Sequence, residues 1–123
     1  MEKNIITILG VVFLVVGVLG FFNDPLLGVF DVDTVHNIIH LLSGALALVV
    51  VGMGAEALRM YAKIFGAVYG VVGAVGFLTS GDMILGLFMS NTAGDVLHLA
   101  LAVVLLYVGF GRPSHRDPIV TSM

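Results

Sequence analysis

Residues 33–56, DTVHNIIHLLSGALALVVVGMGAE, carry no Asp, Glu, Lys or Arg from Thr34 to Ala55. The interval is close to the roughly 20 residues that a helix needs to cross a bilayer. The segment nonetheless opens on His36, Asn37 and His40 before it settles into Leu, Val, Ala and Gly. Similar uncharged runs lie between Lys3 and Asp24, Lys63 and Asp82, and Asp95 and Arg112.

The composition agrees with these runs. The 123 residues are 59% hydrophobic and 11% charged, whereas soluble domains average about 25% charged residues. So few charges cannot cover a water-facing surface, which makes lipid the expected solvent. Lipid permits only helices or closed barrels, and four segments without strand-like alternation cannot close a barrel. The expected fold is all-α, a bundle of four transmembrane helices over about 4–22, 35–54, 62–79 and 93–111. They form one membrane domain, 1–112, followed by a flexible tail, 113–123, that contains two prolines. The run from Asn4 to Asn23 is too long for a signal-peptide core and lacks a clear cleavage site, so it reads as a retained span.

Lys3, Arg59, Lys63, Arg112 and Arg116 all fall on one side of such a bundle, whereas the other two loops hold Asp24, Asp31, Asp33 and Asp82. The positive-inside rule then places both termini in the cytoplasm of a multi-pass protein of the cell membrane. Each outer loop also carries a short apolar piece, 26–30 and 84–88, expected either at the interface or dipping back between helices. No cysteine is present, which excludes disulfides and thiolate metal sites. The net charge of −3 comes without a basic run, and nucleic acid is not an expected partner.

The chain reads as a duplication. A shift of 56 lays Gly10–Phe21 on Gly66–Phe77, and a shift of 58 lays Thr34 on Thr92, Asn37 on Asp95 and His40 on His98. Two-helix repeats enter the membrane in the same sense, so the axis relating them is expected along the membrane normal. Helix 2 then faces helix 4, or helix 1 faces helix 3. Gly10, Gly17 and Gly20 match Gly66, Gly73 and Gly76, with Gly70 in the same stripe. Small residues on one face let helix backbones approach, and packing is their expected role.

The polar residues have several readings. Asp33 or Thr34 can cap helix 2, and Asn91 or Thr92 can cap helix 4. Thr92 and Asp95 also have capping-box spacing. His40 and His98 lie about 4.5 Å further in than the first-turn residues Asn37 and Asp95. Polar groups inside a span usually face the bundle interior and pair. The leading expectation is therefore a buried network of His36, Asn37, His40, Asp95 and His98 that ties helix 2 to helix 4, with no cofactor. As an alternative, His40 and His98 hold a divalent metal with His36 or Asp95 as third ligand, or clamp a haem. A proton or small-solute path through the same residues is a further alternative. No serine elbow, phosphate loop or HExxH motif is present, and no catalytic residue is expected.

Around HNIIHLLSG (36–44), with DVLHL (95–99), the chain resembles the domain-of-unknown-function 4383 family of small prokaryotic four-helix membrane proteins. The resemblance runs from about Ile5 to Gly111 and includes GVLGF, LGVF and FGAVYGVVGAVGF. His36, Asn37, His40 and Gly44 match its His-Asn-x-x-His motif directly. In the second half the family often has Asp-Asn before x-Leu-His, where this chain has Gly94 and Asp95, and Ala102 stands where Gly is common. The resemblance implies a four-helix membrane fold and names no activity. The expected function is accordingly an integral membrane protein, a structural or accessory subunit in the lipid bilayer, alone, as a homo-oligomer or within a larger membrane complex.

Overall fold

The computed structural model of the protein describes residues 2–23, 28, 32–79, 83–84 and 86–111. Asp24, Asp31, Asp82, Arg112, the tail 113–123 and most of the piece 26–30 lie outside the described residues. The elements are α1 (Glu2–Gly20), α2 (Thr34–Met53), α3 (Ala55–Leu78), β1 (Met83–Ile84), β2 (Phe88–Met89) and α4 (Thr92–Phe110). Among the described residues, four helices are long and apolar enough to cross a membrane. Their outward faces carry exposed aliphatic side chains such as Ile8, Val15, Leu42 and Val103. Such a surface is costly in water and ordinary in lipid. The protein is an all-α, multi-pass membrane protein.

Helix α3 starts at Ala55, about seven residues before the expected boundary. The charged stretch that reads as a loop is instead the first two turns of α3. Ala55, Glu56, Ala57, Leu58 and Arg59 are strong helix formers, and Glu56 in the first turn suits the positive end of the helix dipole. Gly54 alone separates α2 from α3, at φ +116°, a conformation that side chains rarely adopt.

Helix α1 packs closely on α2, and α3 on α4. The two pairs meet mainly where α2 lies against α3. The seams are built on small residues. A Cβ on Gly44 would lie 2.7 Å from the Gly10 carbonyl oxygen and 2.9 Å from the Leu14 nitrogen. A Cβ on Gly17 would lie 3.1 Å from the Asn37 carbonyl oxygen, and one on Gly73 would lie 3.0 Å from that of Asp95. Gly10 faces Ala47 and Leu48, and Gly66 faces Leu106. Gly70 differs from the rest of its stripe, because a Cβ there would meet only Ala102, at 3.5 Å.

At the end of the bundle where α1 begins, Arg59 reaches Glu2 at 2.9 Å and the Gly111 carbonyl at 3.5 Å, joining α3 to α1 and α4. Lys63 lies 5.0 Å over the Phe110 ring. At the other end, β1 and β2 form a small antiparallel hairpin, with Met83 opposite Met89 and Ile84 opposite Phe88. The second apolar piece is therefore a short hairpin beyond the end of α3. Gly86, at φ +73°, turns the chain, and Leu87 N donates to the Ile84 carbonyl at 2.8 Å. Ile84 is buried, with its Cδ1 at the Gly76 surface. Gly28, between α1 and α2, has the same φ of +73°.

Candidate metal centre

The first turns of α2 and α4 set the site. Asp33 caps α2, its Oδ1 accepting from His36 N at 2.9 Å. Asn91 caps α4 in the same way, accepting from Gly94 N at 3.0 Å. Thr34 and Thr92 are the first helical residues, consistent with Asp and Asn outranking Thr as caps. The Thr92–Asp95 spacing therefore does not act as a capping box. Asp95 instead accepts from Ser90 Oγ at 2.9 Å, across the entry to the helix.

With α2 starting there, His36 and His40 stand four apart on one face. Their ring centroids are 4.5 Å apart, and His98 comes in from α4 with centroids 5.3 Å from His36 and 6.2 Å from His40. All three histidines are buried. His36 Nε2 and His98 Nε2 are 3.4 Å apart, one donating to the other. One ring nitrogen from each histidine can be chosen so that all three lie within 4.8 Å of one another. Two imidazoles on a tetrahedral ion, each bonded at about 2.05 Å, hold their nitrogens about 3.3 Å apart. The His36–His98 pair has about that spacing.

Aromatic rings floor the cluster. Phe13 stacks at 5.8 Å on His40 and at 5.4 Å on Tyr69, whose ring is 5.5 Å from His98. Among the described residues, His40 Nδ1 and His98 Nδ1 are buried with no hydrogen-bond partner. A buried imidazole nitrogen without a partner is costly; a cation on His40 Nδ1 would relieve that one, whereas His98, which meets His36 through Nε2, keeps its Nδ1 without a partner among the described residues.

The other two polar residues point elsewhere. Asn37 lies against Gly20 and Asp95 against Gly76, each side-chain oxygen filling the space that a Cβ would take. No hydrogen bond joins either of them to a histidine among the described residues. Asn37 follows His36 by about 100° around the helix, which carries it off the histidine face and onto α1. Asp95 is turned towards α3 and Ser90. The expected five-residue network thus divides into a three-histidine cluster and two flanking polar contacts.

Three polar residues outside that network complete the neighbourhood. Ser43 Oγ and Tyr69 Oη are 2.9 Å apart, and Tyr61 Oη donates to the Ser43 carbonyl at 2.7 Å. Ser43 stands three residues after His40, hence on the same face, and a tyrosine within an apolar span needs a partner for its hydroxyl. Those two sequence signals mark Ser43 and the tyrosines as polar candidates but do not say which of them meet.

No curated protein and no solved structure matches the chain significantly. A family model described as "Domain of unknown function (DUF4383)" matches residues 3–111. The resemblance read at His36–Gly44 is thereby shown, and the chain belongs to the DUF4383 family.

Proposed function

We propose that the protein is an accessory subunit of the cell membrane that holds a divalent transition-metal ion on His36, His40 and His98. The reading rests on one observation: three buried histidines offer ligand nitrogens within 4.8 Å of one another. Neutral imidazoles suit zinc, copper or iron. The space beside them, about 100 Å³, favours an ion over a haem macrocycle. No catalytic step is assigned to the site.

In this reading both termini are cytoplasmic and the histidines lie near the outer face. Lys3, Arg59 and Lys63 at the opposite end of the bundle support that orientation. The reading also includes a duplicated chain with an axis along the membrane normal. Support for the duplication, though not for the axis, comes from contacts within each helix pair that recur after 56 to 58 residues. Gly20 against Asn37 matches Gly76 against Asp95, Gly17 against Leu41 matches Gly73 against Leu99, and the Asp33 cap matches the Asn91 cap. His36 breaks the repeat, since Gly94 stands at its counterpart. The third ligand belongs to one half alone.

Elemental analysis of tag-free protein in mild detergent tests the metal. About one zinc, copper or iron per chain is expected, with loss of most of it in His98→Ala and in His40→Ala. A metal-free wild type would sink the reading. It would favour the second one, supported by the 3.4 Å His36–His98 contact, in which the histidines only tie α2 to α4.

A further inference from the structure

A cavity of about 100 Å³ lies between α2 and α3 beside the histidine cluster, lined in part by His36, Ile39, Ser43, Tyr69, Val72 and His98. We propose that it takes up a small neutral apolar molecule, of two or three heavy atoms, from the surrounding lipid and holds it against the His36 and His98 rings.

Three observations support this. First, the wall of the cavity is apolar. The Ser43 and Tyr69 hydroxyls are engaged with each other at 2.9 Å, and His36 Nε2 with His98 Nε2. Apolar cavities of this kind stay dry and accept apolar guests; one of about 150 Å³ takes benzene or xenon. A volume of about 100 Å³ has room for a guest of two or three heavy atoms. Second, α2 lies less closely on α3 than on α1, so the crevice sits at the loosest of the main helix contacts. Third, Val68 also lines the cavity and is 48% exposed on the outward side of α3. The rim is therefore on the surface that faces acyl chains, where charged solutes are excluded and neutral apolar ones concentrate.

The proposal extends the metal reading, because the guest would rest on imidazoles assigned to the ion. The cavity itself does not depend on the ion. The test uses xenon as the probe, with methyl-labelled protein in lipid nanodiscs, both metal-free and zinc-loaded. The Ile39 and Val72 methyl resonances are expected to shift with xenon pressure and then saturate. Those of Val103, a lipid-facing residue of α4 that is 68% exposed, are expected to drift linearly. Val72→Phe, or Ile39→Phe if the first variant does not fold, fills the space and should abolish saturation at the remaining methyl. Linear drift at Ile39 and Val72 like that at Val103 would overturn the proposal, as would saturation that survives the filled cavity. The metal-free sample decides the question by itself, so a negative metal analysis would leave this result standing.

Discussion

Gly44 is where two backbones touch. A Cβ added there would press on the Gly10 carbonyl oxygen and the Leu14 nitrogen, and main-chain atoms cannot turn aside as a side-chain end can. Gly44→Ala should therefore push α1 off α2 and cost about 1–3 kcal/mol, the usual range for overpacking. Gly70→Ala makes the contrast, because its Cβ would meet Ala102 at an ordinary 3.5 Å. Thermal unfolding in detergent should show a lowered Tm for the first and little change for the second. Equal Tm values would show that the α1–α2 seam has more slack than its distances imply. Ala102 stands 58 residues after Gly44 and has a Cβ, and it faces the equally small Gly70. One glycine per crossing is enough at that level.

At the scale of the element, the caps decide where the histidines stand. Asp33 and Asn91 each accept from the amide three residues on, which sets the first turn of α2 and of α4. Asn91→Ala should cost about 1 kcal/mol, whereas Asn91→Ser keeps an acceptor and should cost far less. Hydrogen exchange at the Gly94 amide reads this directly, with faster exchange in the alanine variant only. Exchange that is unchanged in Asn91→Ala would mean that the amide is held by other means. The same scale explains the early start of α3. Charges mark the edge of an apolar run, but helix propensity and Gly54 mark the edge of the helix.

The whole molecule is two helix pairs joined along α2 and α3, with the polar cluster near one end and Arg59, Glu2 and Lys63 at the other. The proposed orientation can be read because the chain has no native cysteine. In intact cells, a membrane-impermeant thiol reagent should label Leu87→Cys, in the outer hairpin. It should label Glu56→Cys, next to Gly54, only after the membrane is opened. Both positions are exposed. The reverse pattern would invert the protein in the membrane and place the histidine cluster on the cytoplasmic side.

The sequence by itself determined the solvent, the four helices, the family, and the histidines that begin α2 and α4. These follow from run length, charge position, spacing and motif, all of which act locally along the chain. It also held the Asp33 and Asn91 caps among its candidates, since cap chemistry is local. Only the tertiary structure decided which polar groups meet. Helical spacing put His36, Asn37 and His40 within one turn of each other without saying which face would meet α4. The packing of α1 on α2 turned Asn37 to Gly20, and that of α3 on α4 turned Asp95 to Gly76. His36 was left opposite His98, with Ser43, Tyr61 and Tyr69 paired beside them. The hairpin at 83–89 was likewise hidden, because a short apolar piece has no period of its own and takes its shape from Gly86 and the helix ends beneath it. Rotation of a helix about its axis is set by its neighbours, and side-chain partners follow from that rotation.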